Sequence, residues 1–235
     1  APRAAGSWRG VPVHLVAGHD TSSAVAACPR DSEPSAFVSS GTWMLVGAER
    51  AEPDTSEAAR TANFSNEPGA AGRVCFLKNV MGLWMLEQLL DGWRADRDEV
   101  VAAASAVGAD GPIVDATDAR FLAPQDMEAE IRTAAGLPAS AGRDRVARCV
   151  LDSLAATAAE VIRELDGLLG APVREIHVLG GGARNAFLNR LLAEAAGRPV
   201  RVGAIEATAL GNALVQGIAL GAFSDLDDAR ARLAR

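Results

Sequence analysis

Five short stretches of the sequence carry side chains or backbone freedom suited to chemistry. Gly18-His19-Asp20-Thr21 places an imidazole and a carboxylate directly after an apolar run. A carboxylate held at the end of a rigid element can act as general base toward a hydroxyl. Ser39-Ser40-Gly41-Thr42 puts a glycine and hydroxyls at a bend, where backbone N–H groups can approach an anion closely. Leu179-Gly180-Gly181-Gly182-Ala183-Arg184-Asn185 runs from an apolar stretch into three glycines. It falls short of the dinucleotide fingerprint, because Asn185 stands where the last glycine would be. In Leu77-Lys78-Asn79-Val80-Met81-Gly82-Leu83-Trp84 a polar pair interrupts two apolar runs. Glu206-Ala207-Thr208-Ala209-Leu210-Gly211-Asn212 is a run of small residues. Taken singly, each also has an ordinary structural explanation: a capped helix, a turn, close packing, or the exposed end of a strand.

Other chemistries are excluded. The only lysine is Lys78, followed by Asn79, so no G-x-x-x-x-G-K-[ST] loop exists. The histidines are His14, His19 and His177, which rules out H-E-x-x-H. Cys28, Cys75 and Cys149 are far apart in sequence, form no C-x-x-C pair, and suit a reducing cytoplasm. No serine has glycine both two residues before and two residues after it, so there is no nucleophile elbow. A net charge of −7 argues against a nucleic-acid surface. No apolar run reaches the roughly 18 residues of a membrane span, and the first residues lack an apolar signal region. The absence of an initiating Met fits a piece of a longer protein. The 22 arginines and 49 alanines beside one lysine reflect codon usage rather than function.

These residues need elements to hold them. Residues 11–18 read as a buried strand, followed by a short helix from about residue 22 that Asp20 or Thr21 could cap. A turn follows over 30–34. Residues 35–40 and 43–48 read as a hairpin bent at Gly41. Residues 49–72 are polar and read as a long excursion, and 73–79 as a third strand. Helices are expected over 81–93, 97–107 and 127–135. The longest, over 143–169, keeps Val146, Val150, Leu154, Val161, Leu165 and Leu168 at helical spacing, with Gly170 as its stop. Strands over 173–179 and 199–202 alternate with helices over 185–196 and 208–220. A last helix begins near Asp225, with Ser224 as its cap. The order predicts an α/β domain with a mixed sheet of about five strands and flanking helices.

The order of the motifs is more telling than any one of them. Gly-His-Asp-Thr, Ser-Ser-Gly-Thr-Trp, Asn-Phe-Ser-Asn-Glu, Leu-Lys-Asn-Val-Met-Gly-Leu-Trp, Gly-Gly-Gly-Ala-Arg-Asn and Glu-Ala-Thr-Ala-Leu-Gly-Asn follow one another from about Val13 to Phe223. The series resembles the C-terminal half of FGGY-family carbohydrate kinases, and most of all the branch that phosphorylates L-rhamnulose. The resemblance implies an actin-like ATPase (ribonuclease-H-like) domain occupying the whole of residues 1–235. The partner N-terminal domain would lie outside this chain, and the active site in the cleft between the two.

The same resemblance implies roles. Asp20 would be the general base toward a ketose hydroxyl, with His19, Thr21 and Asn79 touching the sugar. Gly41 and Thr42 would hold phosphate of ATP, brought in with Mg²⁺. Gly180, Gly181, Gly182 and Asn185 would border the adenosine. No protein metal site, nucleic acid or membrane is implied, and the chain alone should be inactive. L-Fuculokinases, other deoxyketose kinases and a non-catalytic nucleotide- or sugar-binding module stay open as alternatives. Two departures stand out. Pro68 replaces a usual Gly. Glu87 replaces a Gln associated with ATP, and charge repulsion keeps it out of the expected site.

Overall fold

A computed structural model describes residues 3–29 and 34–233. The expected turn at 30–34 lies, apart from Pro34, outside the described residues. The chain opens with β1 (Arg3–Trp8) and β2 (Val11–Leu15), an antiparallel ribbon of its own. Helix α1 (Asp20–Ala26) follows, then the hairpin β3 (Ser35–Ser40) and β4 (Trp43–Arg50). The polar excursion contains α2 (Glu57–Thr61) and β5 (Ser65–Pro68) before β6 (Val74–Met81). Helices α3 (Trp84–Trp93), α4 (Arg97–Ser105), α5 (Met127–Ala135) and α6 (Arg143–Leu169) come next. Strand β7 (Glu175–Leu179), helix α7 (Ala186–Ala196) and strand β8 (Val200–Val202) follow, then helices α8 (Ala207–Ala219) and α9 (Leu226–Leu233).

The main sheet has six strands in the order β5-β6-β4-β3-β7-β8, one more than the sequence predicts. The extra strand is β5. Its sequence, Ser-Asn-Glu-Pro, has no apolar alternation, because it is an edge strand supported by backbone pairing to β6 alone. Pro68 is tolerated at its end, where no ladder N–H is needed.

Residues 11–15 are a strand as expected, but not a buried one. Trp8, Val11, Val13 and Leu15 are exposed on the ribbon. Their apolar pattern has no sheet or helix over it among the described residues. Asp20 does not cap α1 either. His19 is the N-cap residue and makes no side-chain cap bond, and Asp20 begins the first turn. At the last helix Asp225 replaces the expected Ser224: its Oδ1 accepts from Asp228 N–H at 2.8 Å.

The sheet carries a core on each face. On one, α6 packs Val146, Val150, Leu154 and Leu165 against Val38, Val46, Phe76 and Val178. Glycines end α6 as the sequence requires, with Gly170 left-handed at its C-terminus. On the other face, Ala24 and Val25 of α1 lie over Phe37, Cys75 and Leu77. Helix α8 crosses α1 closely enough that a Cβ on Gly211 would fall 1.7 Å from the Ser23 carbonyl oxygen. Among the described residues no helix is long and apolar enough to cross a membrane.

A buried ion pair ties α1 to this frame. Arg230 of α9 is 4% exposed and donates to Glu49 Oε2 and Oε1 at 2.8 and 3.0 Å. It also donates to the Val25 and Ala26 carbonyls at the C-terminal end of α1. One guanidinium thus satisfies the helix end and a strand carboxylate together. Replacing Arg230 by Met strips a buried carboxylate of its bidentate partner. The expected loss of stability is about 3 kcal/mol, read as a lowered urea midpoint by circular dichroism.

Candidate active site

Strands β3, β7 and β8 are mutually parallel, and β6 runs with them because β4 is antiparallel to both β3 and β6. Four chain reversals therefore leave the sheet at one end, where open α/β sheets characteristically bind ligands. Three of them interlock through glycines. The Gly41 and Thr42 carbonyls accept from Leu83 N–H and Trp84 N–H, at 2.8 and 3.1 Å. This ties the hairpin tip to the start of α3. A Cβ on Gly82 would lie 2.6 Å from the Gly41 carbonyl oxygen. A Cβ on Gly182 would lie 2.0 Å from Ser40 Oγ. Gly180 has φ +80, a conformation that favours glycine. Gly181 has nothing within 4 Å of where a Cβ would be. The glycine run thus has two uses: Gly182 packs on β3, and Gly181 faces open space.

That space is a cleft of about 820 Å³. Gly41, Thr42, Gly181, Gly182 and Asn185 line it from the sheet side, whereas Gly180, grouped with them in the sequence, does not. Asn185 caps α7, its Oδ1 accepting from Leu188 N–H at 3.0 Å. Asn189 donates to the Ala183 carbonyl at 3.0 Å and fixes the turn. The opposite wall is the start of α4, with Arg97, Asp98 and Val101. Glu87, set aside on charge grounds, lines the cleft too, with its Oε1 2.5 Å from an Arg97 guanidinium nitrogen. The repulsion expected of a bare carboxylate is therefore offset within the wall. Arg97 is missing from the sequence-based set. The only signal was the Asp96-Arg97-Asp98 run opening an amphipathic helix.

The second group of predicted residues does not line this cleft. His19 and Asp20 are exposed at the start of α1, beside the edge strand β5. His19 Nδ1 lies 3.4 Å from Glu67 Oε2, and the Ser22 hydroxyl donates to the Pro68 carbonyl at 2.8 Å. Thr208 of α8 donates to the Asp20 carbonyl at 3.2 Å. Asn79 is exposed on β6, two positions along the strand from Leu77, on the sheet face that α1 covers. Its neighbour Lys78 must then point to the other face. It does: Lys78 Nζ donates to Glu164 of α6 at 2.7 Å. Lys78 and Asn79 cannot serve one site together.

The cysteines are structural. Burial pushes the Cys28 thiol up to about 12, and the Cys75 and Cys149 thiols up to about 11, so none is a nucleophile near neutral pH. Among the described residues no three His, Cys, Asp or Glu side chains converge to hold a metal ion.

With this geometry in view, residues 36–220 match the model of the FGGY family of carbohydrate kinases, C-terminal domain. The chain belongs to the FGGY family. A rhamnulokinase of Klebsiella pneumoniae (strain 342) is 43% identical over 224 residues, covering 94% of this chain and 46% of the relative. A second K. pneumoniae rhamnulokinase matches to the same extent. The chain therefore spans about half the length of the curated relatives it matches. The fold is also that of the xylulose kinase of Rhodospirillum rubrum, with TM-score 0.70 and 19% identity over 96% of this chain and 46% of that one. It is likewise that of Plasmodium falciparum glycerol kinase with ADP, with TM-score 0.73 and 16% identity over the same shares. The mixed sheet with helices on both faces is thus the actin-like ATPase arrangement of FGGY kinases.

The FGGY glycine turn depends on the missing Cβ at residue 182. Gly182→Ala is expected to cost about 1–3 kcal/mol by overpacking. Adding Ser40→Gly, which removes the colliding side chain, should recover most of that loss in thermal unfolding. Equal midpoints for Gly182→Ala and the unsubstituted chain would show that the turn has room to spare.

Proposed function

We propose that this chain is the nucleotide-holding C-terminal domain of an ATP-dependent kinase that converts L-rhamnulose and ATP to L-rhamnulose 1-phosphate and ADP. The cleft beyond the carboxyl ends of β3 and β7, with Gly41, Thr42, Gly181 and Gly182 on its wall, carries this reading. The 43% identity to rhamnulokinases supports the choice of sugar. The N-terminal domain of the complete enzyme would meet the half of the site that His19, Asp20, Thr21 and Asn79 form. The exposed apolar ribbon of β1 and β2 suits the same contact.

In this mechanism the Asp20 carboxylate takes the proton of the sugar hydroxyl. The hydroxyl oxygen bonds to the γ-phosphorus as the bond to the β-phosphate oxygen breaks, and ADP leaves. Phosphoryl transfer demands positioning and charge neutralisation more than covalent help from the protein. The Thr42 hydroxyl supplies a donor for phosphate without any lysine, and Gly41, whose own N–H is given to the Trp43 carbonyl at 2.9 Å, leaves room for the phosphate to come close. A magnesium ion carried by the nucleotide phosphates would supply charge neutralisation there, with Thr42 and Gly41 of this chain beside those phosphates. His19, Thr21 and Asn79 bind the ketose, and Gly180, Gly181, Gly182 and Asn185 bind the adenosine side. Domain closure would exclude water from the transfer.

In the full-length protein, Asp20→Asn is expected to slow phosphoryl transfer by about 10²- to 10⁴-fold while ketose binding persists. An unchanged rate would remove Asp20 from the role of base. A ketose panel tests the sugar: faster turnover of L-fuculose than of L-rhamnulose would reject the assignment.

The Glu87–Arg97 pair gives a second, oppositely signed expectation. Arg97→Ala leaves a bare carboxylate in the cleft and should weaken MgADP binding about two- to fivefold. Glu87→Gln frees the guanidinium and should strengthen it by a similar factor. Calorimetric titration at low salt reads both, and raised salt should shrink both effects.

A further inference from the structure

Glu67 is an acidic side chain beside the Asp20 turn for which the mechanism has no use. It sits on the edge strand β5, paired in register with Cys75. Its Oε2 atom is buried and makes no hydrogen bond. A carboxylate oxygen withdrawn from water without a donor is costly. Among the described residues, the only basic nitrogen within ion-pair reach of it is His19 Nδ1, at 3.4 Å. The contact is anchored from both sides. The Ser22 hydroxyl of α1 holds the Pro68 carbonyl, one residue from Glu67. His19 is the N-cap residue of α1, with its backbone carbonyl accepting from Ser23 N–H at 3.0 Å.

An ionised carboxylate can only accept, so the ring proton of a neutral His19 belongs on Nδ1. Nε2, on the far edge of a ring whose side chain is 57% exposed, then carries a lone pair. We infer that Glu67 is a positioning residue that holds His19 in the Nδ1–H tautomer and makes its Nε2 a hydrogen-bond acceptor for a sugar hydroxyl. This rests on the kinase reading for the identity of the ligand, but not for the state of the ring. His19 Nε2 and the Asp20 carboxylate are then two acceptors on consecutive residues at the start of α1. They take hydroxyl hydrogens from two positions of one polyol chain, and only one of those protons is removed in the reaction. Long contacts of this kind commonly tighten when substrate fills the site.

The ring state can be read in this chain alone. Nitrogen-15 imidazole spectra at about pH 8.5, above the ordinary histidine range, show which ring nitrogen carries the proton. His19→Gln identifies the signals among the three histidines. The expected result is Nδ1–H for His19. Glu67→Ala should move the proton toward Nε2, and Glu67→Gln, whose amide oxygen still accepts, should keep it on Nδ1. A His19 protonated on Nε2 in the unsubstituted chain, or one indifferent to Glu67→Ala, overturns the inference.

Kinetics in the full-length protein read the consequence. Glu67→Ala should raise the ketose KM about tenfold, the scale of one misdirected hydrogen bond, with kcat changed less than about twofold. Glu67→Gln should stay near the unsubstituted KM. A ring that responds without any change in KM overturns the recognition role. Failure of the unsubstituted full-length protein to phosphorylate any ketose would instead strike the kinase reading, and the spectra would still decide the coupling.

Discussion

The absence of two β carbons governs the ligand-facing end of this molecule. Without a side chain at Gly82, the start of α3 comes under the β3–β4 hairpin tip. Without one at Gly182, the turn after β7 settles on Ser40. These contacts bring reversals from three strands to one place, and their backbones form one wall of the cleft. The hairpin tip is then held by Leu83 and Trp84 N–H groups rather than by side chains. That leaves the Thr42 hydroxyl exposed and uncommitted to the frame. Packing and ligand approach are thus the same constraint seen from two sides. The bulk that would spoil the turn would also obstruct the cleft.

Pleating decides which polar residues can act together. Residues that pair across β3, β4, β6 and β7 share a face, and the next residue along each strand takes the other. Ser39, Leu45, Asn79 and Leu179 form one such row on the α1 side. Val38, Val46, Lys78 and Val178 form the next on the α6 side. Lys78 is therefore bound to α6 through Glu164, and its charge is spent on the frame. The cleft keeps guanidinium groups, from Arg97 and Arg184, in place of lysine.

Elements with strong periodicity were legible in the sequence. The helix over 143–169 has the observed bounds, because its apolar stripe and closing glycine act locally. The Gly41 hairpin and the Gly180–Gly182 turn were equally plain, since each is a short-range demand on the backbone. What escaped depends on partners distant in sequence. β5 is a strand only because β6 lies beside it. The apolar pattern of 11–15 reads as burial, yet pattern alone cannot say whether the burying surface belongs to this chain. The sequence weighs the Glu87 charge alone, whereas Arg97, ten positions on, meets it in space. The odd usage of basic residues, with 22 arginines to one lysine, favours such pairs, because a planar guanidinium can hold a carboxylate and still face solvent.

The two groups of site residues are held by different devices, and this bears on how a kinase could use them. The cleft wall is backbone, fixed by glycine packing at the sheet end. The His19–Asp20 turn is a helix start fixed by side chains: Ser22 to β5, Thr208 to the Asp20 carbonyl, and Arg230 at the far end of α1. A phosphate needs many donors at a fixed spacing, which backbone amides provide at little entropic cost. A sugar needs hydrogen-bond partners matched to its several hydroxyls, which side chains of varied chemistry provide. Bringing a phosphorus atom held by one device to a hydroxyl held by the other is a matter of approach rather than of new chemistry. In the proposed enzyme that approach is supplied by closure against the second domain. The residues here then remain in their places while the reacting atoms gain the effective concentration that drives transfer.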